Sequence, residues 1–246
     1  MAVVSPKKAL KSPRLLKKLV VITKATRKPA RGKWPPPPER VRSILDGLED
    51  LYPDVDCELD RDTPFQLLCA TILSAQCTDE RVNKVTPALF RRFPDARAMS
   101  QAALPELEEL IRTTGFFRQK AKNLKATAQA LLDDHRGEIP QTLAHLIKLP
   151  GVARKTASVV LGTAFGLAEG IVVDTHVQRL AMRLGLTRNI DVKDIEQDLM
   201  KVIPHERWIR FSHQLIWHGR RVCFARKPDC GNCSLAPFCP SAGIEA

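Results

Sequence analysis

No stretch of eighteen apolar residues occurs anywhere in this 246-residue chain, so no segment is expected to span a membrane. Extended segments are nearly as scarce: only Gly170–Val173 looks extended, and one short segment does not make a sheet. No acidic residue precedes Glu39. A secretory signal is missing too, because the apolar residues Leu15, Leu16, Leu19 and Val20 are interrupted by Lys17 and Lys18. Without that context, and with an odd count of seven cysteines, a disulfide framework is disfavoured.

The absence of early acid explains the charge. The formal net charge is +12, yet residues 1–33 alone hold eleven Lys or Arg, leaving 28 bases against 27 acids in the rest. The excess is thus a property of the N-terminal segment, and a nucleic-acid surface on the body has to come from local clustering. Residues 1–38 are expected to form a disordered basic tail, since the prolines oppose a helix and the apolar residues are too few to offset ordering. Such a segment suits a DNA-attracted arm, an organelle transit peptide or a plain solvated tail.

Beyond Pro38, apolar residues recur at three-and-four spacing almost throughout. The pattern predicts helices over 39–51, 64–74, 79–93, 105–112, 119–132, 142–148, 154–165, 175–184, 192–202 and 206–219. The expected fold is all-α, with short loops joining helices around shared cores.

What stands out against this background is a group of four cysteines. Cys223, Cys230, Cys233 and Cys239 read C-x6-C-x2-C-x5-C. Thiolates ligate both zinc and iron–sulfur clusters. Structural zinc usually shows two tight pairs, whereas one tight pair flanked by longer loops suits a larger centre such as 4Fe–4S. A second motif is Leu149-Pro150-Gly151-Val152-Ala153-Arg154-Lys155-Thr156-Ala157, a tight turn between two helices. The amides and positive dipole end of the second helix make a site for one phosphate there. An ordinary helix–helix turn would use L-P-G as well, but Arg154-Lys155 follows at once, and Val172-Val173-Asp174-Thr175-His176 comes after a further helix.

LPGVARKTA, VVDTH, HGRRVCFARKPDCGNCSLAPFC and the early segment LLCATILSAQCTDERVNKVTPALF together resemble endonuclease III, a family of helix-hairpin-helix DNA glycosylases. The resemblance runs from about Arg40 to Cys239. It implies a 4Fe–4S cluster on the four cysteines. It also implies repair of double-stranded DNA bearing oxidised or ring-damaged pyrimidines or abasic sites, with base removal followed by β-elimination of the abasic strand. Lys155 would be the Schiff-base nucleophile and Asp174 the essential carboxylate, its alternative role being a helix cap. Gln76 would enter the vacated base stack or face the orphaned base, and Phe116 would act as an apolar wedge unless it packs in the core. Leu149, Gly151, Ala153, Arg154, Arg226 and Lys227 would contact DNA, with Arg220 and Arg221 adding charge nearby. Many members of the family have a glycine where this chain has Ala153, so that position is either strained at positive φ or relaxed at negative φ. Mismatch adenine glycosylases share cluster and hairpin but lack a lysine at the position of Lys155.

The expected organisation is a six-helix domain over 57–167 carrying the hairpin, and a cluster domain from 39–56 plus 168–246, with Lys155 and Asp174 facing each other across a groove. A monomer in the cytoplasm, associated with the nucleoid, is expected, with organelle targeting by the basic tail left open.

Overall fold

The computed structural model describes residues 34–243, and the expectation for residues 1–33 lies outside them. Among the described residues there are helices and turns but no strand. The helices are α1 (Pro38–Leu51), α2 (Pro64–Leu73), α3 (Asp79–Arg92), α4 (Ala96–Gln101), α5 (Leu104–Leu110), α6 (Phe117–His135), α7 (Leu143–Leu146), α8 (Arg154–Phe165), α9 (Thr175–Arg183), α10 (Val192–Val202) and α11 (Trp208–Arg221). Single 3-10 turns punctuate the chain, two of them inside the cysteine segment.

The capping chemistry shows why the helices start where they do. Thr63, Thr78, Asp95, Asp174 and Asp191 each occupy an N-cap and accept a backbone N–H from the first turn. The extended segment expected near Gly170–Val173 is irregular rather than a strand, and it sends Ile171 and Val173 inward. Two expectations are corrected. The stretch 57–167 contains seven helices rather than six, because α4 is too short for its spacing to register. The tail also ends earlier than Pro38: Trp34 donates from Nε1 to Leu186 O at 3.3 Å, Pro36 is buried and Pro38 opens α1.

Two apolar cores result. The first draws on Leu59 to Leu161 and is centred on α2, which buries eight of its ten residues. Truncating one of them, such as Leu68, would cost about 2–5 kcal/mol. The second combines Val41, Ile44, Leu45 and Leu48 of α1 with α9, α10, α11 and Leu235 of the cysteine segment. At the seam α8 and α11 approach closely: a Cβ on Gly162 would lie 3.2 Å from Ile209. Arg220 of α11 adds ion pairs to Asp79 (2.8 Å) and Glu58 across the same boundary.

Candidate active site

The hairpin between α7 and α8 owes its shape to one glycine. Gly151 has φ of +78°, and a Cβ there would come within 2.6 Å of the Asn123 side chain on α6. Thr127, also on α6, donates from Oγ1 to Pro150 O at 2.5 Å and holds the turn against the first core. Ala153 is the N-cap of α8 with φ −83° and ψ 166°, an extended conformation open to any residue. It has no side-chain oxygen for the first-turn amides, which leaves them for an external acceptor. Leu149 lies inside the turn. Its side chain is buried, its N–H bonds Leu146 O and its carbonyl accepts from Val152, so it shapes the turn from within.

Lys155 is exposed in the first turn of α8. Asp174 is half-buried and caps α9, its Oδ1 accepting from His176 N and Val177 N, each at 2.8 Å. The capping role therefore holds, and Oδ2 is the oxygen left for other chemistry. Both charges act on the same two neighbours, Asp79 and His176. Burial and the Asp174 carboxylate push the Asp79 carboxyl up, against Lys155, and Asp79 also pairs with Arg220 at 2.8 Å. Burial lowers the His176 imidazole; Asp174 opposes this, while Arg179 and Lys155 add to it. His176 Nδ1 lies 3.1 Å from Arg179 Nη2, so it accepts and the ring serves as a neutral support. Asp79 was missed in the sequence: its Thr78-Asp79 context marks a helix start, and nothing local shows that this start faces Lys155.

Three of the expected DNA-contacting residues share an unusual backbone. Gln76 (φ 54°), Phe116 (φ 47°) and Lys227 (φ 51°) are three of the four non-glycine residues with positive φ among those described. Strain of this kind costs of order 1–3 kcal/mol and gathers at binding sites. Gln76 is exposed, and Phe116, at 69%, is the most exposed large apolar side chain among the described residues. The adjacent Phe117 packs on the first core, so one aromatic of the pair is structural and the other free. Arg226 and Lys227 are both exposed in the first cysteine loop.

Other basic residues are engaged within the protein. Arg154 pairs with Glu196 at 3.4 Å, bridging α8 to α10. Arg220 is committed to Glu58 and Asp79, while Arg221 lies over the Trp217 ring at 3.9 Å and pairs with Glu58. Charge near the hairpin and cysteines thus serves the seam before it serves DNA.

None of the seven cysteines forms a disulfide. Burial pushes the Cys69 thiol far up, and it packs as an apolar side chain in the first core. Cys223, Cys230, Cys233 and Cys239 converge closely enough that, after burial, Cys239 is pushed up by the other three and Cys233 by Cys223 and Cys230. Among the described residues no three His, Cys, Asp or Glu side chains gather around a single ion. Four converging cysteine side chains fit a thiolate-bound iron–sulfur centre. Its surroundings fit as well. Arg183 Nη1 donates to Cys223 Sγ at 3.3 Å, and Arg40 feels Cys239. Burial pushes His218 down to about 4, so it is neutral; Tyr52 donates to its Nδ1 at 3.0 Å, and its Nε2 faces Cys233 Sγ at 3.4 Å. Arg179 Nη2 donates to Gly219 O (3.0 Å) and Cys223 O (3.1 Å). Helix α9 thereby carries Asp174 at its start and grips the cysteine loop along its length.

Comparison with known proteins agrees with this geometry. Residues 69–205 match the HhH-GPD superfamily of base excision DNA repair proteins, and residues 223–239 match the iron–sulfur binding domain of endonuclease III. Endonuclease III of Synechocystis sp. is 58% identical over 204 residues, covering 83% of this chain and 93% of that protein. A solved endonuclease III in non-covalent complex with DNA superimposes with a TM-score of 0.78 at 44% identity, covering 83% of this chain and 95% of its own. A trapped endonuclease III–DNA covalent intermediate gives 0.78 at 43% identity, covering 83% and 96%. The chain belongs to the endonuclease III family of base-excision DNA glycosylases with AP-lyase activity, and its four C-terminal cysteines belong to that family's 4Fe–4S domain.

Proposed function

We propose that Lys155 and Asp174 carry out the removal of oxidised or ring-damaged pyrimidines from duplex DNA and the cleavage of the resulting abasic strand. The single observation that carries this reading is the shared electrostatic neighbourhood of the Lys155 ammonium and the Asp174 carboxylate, beside a hairpin suited to phosphate. The neutral Nζ attacks C1′ and the base leaves, taking a proton. The C1′–O4′ bond then opens, O4′ gains a proton, and Nζ and C1′ share the imine. Loss of a C2′ proton breaks the C3′–O3′ bond, and water at the imine releases Lys155. Asp174 Oδ2 stabilises the positive charge at C1′ and relays protons between Nζ and the leaving groups. An amine must be neutral to attack, so closure of DNA over the site, excluding water, supplies most of the driving force for losing its proton.

In the same reading, Gln76 and Phe116 enter the duplex where the base has been flipped out, and hairpin amides together with Arg226 and Lys227 hold phosphates. The two cores act as two domains flanking the DNA, and the protein works as a monomer on chromosomal DNA. When bound by Cys223, Cys230, Cys233 and Cys239, the cluster supplies cross-linking of the second core, since four thiolates complete its ligation.

Borohydride trapping tests the assignment. Lys155→Gln is expected to yield no covalent protein–DNA adduct while binding abasic duplex within about threefold of the parent protein, since hairpin and inserting residues remain. An adduct forming at near the parent rate would sink the nucleophile assignment. A panel of saturated and hydroxylated pyrimidines in duplex DNA, scored separately for base release and strand cleavage, tests the substrate class.

A further inference from the structure

The side chain of Lys120, on the first turns of α6, is the one lysine among the described residues classed as buried, at 4% exposure. An ammonium is among the most unfavourable groups to bury, and an apolar residue would fill the same space without that cost. Its Nζ makes two short bonds, donating to Leu73 O at 2.7 Å and to Thr114 O at 2.7 Å. These carbonyls belong to segments far apart in sequence. Leu73 ends α2, three residues before Gln76, and Thr114 ends the 3-10 turn two residues before Phe116. Each segment then passes into a positive φ, 54° at Gln76 and 47° at Phe116. A cation behind the C-terminus of α2 also answers the carbonyl dipoles collected there. One buried charge therefore sits behind both strained loops and is hydrogen-bonded to each.

We propose that Lys120 is a positioning residue that clips the Gln76 and Phe116 loops into one rigid unit, so that both side chains enter the DNA stack together. This rests on the reading above that Gln76 and Phe116 insert. The clip explains how two exposed residues hold unfavourable backbone angles without DNA: the loop ends are fixed from the core side. It also assigns the buried ammonium a task that hydrophobic packing could not perform, because only a multivalent donor satisfies two converging carbonyls.

The test uses the full, cluster-loaded protein and an abasic duplex with 2-aminopurine stacked beside the site as reporter of insertion, together with the same abasic strand lacking its complement. Lys120→Met is expected to lose the 2-aminopurine response and to slow single-turnover cleavage of the duplex by about 10- to 100-fold, the scale of a misplaced positioning group. It should match the Gln76→Ala/Phe116→Ala double variant, and adding Lys120→Met to that double variant should cost nothing more. Cleavage of the unpaired strand, which needs no insertion, should stay within about twofold, a split that a general folding defect would erase. Lys120→Arg, which keeps charge and two donors, should recover part of the duplex rate and serves as the working variant if Lys120→Met does not fold. A normal reporter response in Lys120→Met, with Gln76→Ala and Phe116→Ala each defective, would overturn the clip alone. Equal losses on duplex and single strand would overturn it as well, making Lys120 a fold requirement. A normal response in Gln76→Ala and Phe116→Ala would instead overturn the insertion reading, and the clip with it.

Discussion

The first core comes from one continuous stretch, Leu59 to Leu161, whereas the second joins α1 to a segment that begins more than a hundred residues later. Apolar burial dominates the first: α2 is almost wholly interior, and buried threonines such as Thr127 and Thr114 bond to the carbonyls of Pro150 and Ile111. The second core is closed on one side by the cysteine segment, whose regular structure amounts to two three-residue 3-10 turns. Arginines compensate. Arg40 donates to Leu184 O (2.6 Å), Gly185 O and Phe238 O, and Arg183 donates to Phe224 O (2.6 Å) and Ala225 O. Short loops with few apolar residues cannot hold a fixed shape alone, so covalent iron–thiolate links are what the second core needs and the first does not.

The most drastic way to break this comparison is to remove the cluster. Cys230→Ala, or chelation of iron, is expected to accelerate amide exchange across α1, α9, α10 and α11 on the order of 100-fold or more while α2 and α6 keep their protection. Because α9 carries Asp174 at its N-terminus, catalysis should fall with it although no reacting atom has been touched. Uniform loss of protection in both cores would show that they fold as one unit, and the contrast would fail.

Gly151→Ala strikes the first core at the hairpin proposed to hold a phosphate. The substitution forces an L side chain to φ +78° and toward Asn123, at a cost of about 1–2 kcal/mol. The hairpin relaxes by moving rather than by unfolding α6 or α8, so abasic-duplex affinity should drop about tenfold. Circular dichroism and cluster absorbance should stay as in the parent. A loss of cluster absorbance would mean that the hairpin supports the second core too.

Much of this contrast was legible in the sequence, and the reasons differ by region. Helices such as α3, α9 and α10 announce themselves through Thr or Asp caps and regular apolar spacing, and the structure places them within a residue or so of expectation. The spacing of the four cysteines pointed to a metal centre, and the resemblance to endonuclease III made it 4Fe–4S. What stayed hidden depends on contacts between distant segments. Helix α4, six residues long, is held by its packing on α6 rather than by its own periodicity. The hairpin motif points Arg154 toward DNA and basic neighbours do the same for Arg220, while their protein partners Glu196, Glu58 and Asp79, 42, 162 and 141 residues away, leave no local trace. Lys120 sits among the polar residues of α6 and gives no local sign that its ammonium turns inward.

A smaller effect sharpens the comparison through pH. Glu49 of α1 meets Arg207 (3.0 Å), Arg210 (2.8 Å) and Gln214 (3.0 Å), which tie α1 to α11 in the second core. Burial would push its carboxyl up, but hydrogen bonds and charge from Arg210, Gln214 and Arg207 outweigh it, so the group sits below its ordinary value. A depressed carboxylate stabilises the folded state above the unfolded glutamate pKa, about 4.3, and that contribution fades as pH falls through the lower folded value. Glu49→Gln is therefore expected to lower Tm by about 2–4 °C at pH 7, for about 1 kcal/mol, with the difference from the parent shrinking below about pH 4. A pH-independent difference would mean that packing, not charge, joins α1 to α11.

The smallest expected effect concerns Ala153, where many members of the family carry glycine. Two outcomes were open: a strained alanine at positive φ, which glycine would relieve, or a relaxed one at negative φ. The observed φ of −83° and ψ of 166° is a basin alanine occupies freely, so glycine has no strain to release. It would instead enlarge the unfolded ensemble, at about 0.4–1 kcal/mol. Ala153→Gly is thus expected to lower Tm by about 1–3 °C and to leave abasic-duplex affinity and single-turnover cleavage within about twofold. The hairpin amides gain no freedom they need, because Gly151 already makes the turn and Thr127 anchors it through Pro150. A clear rise in affinity with glycine would mean that the bound hairpin adopts a second positive φ that the free protein does not show, and would place an adjustment of the first core in the DNA-binding step.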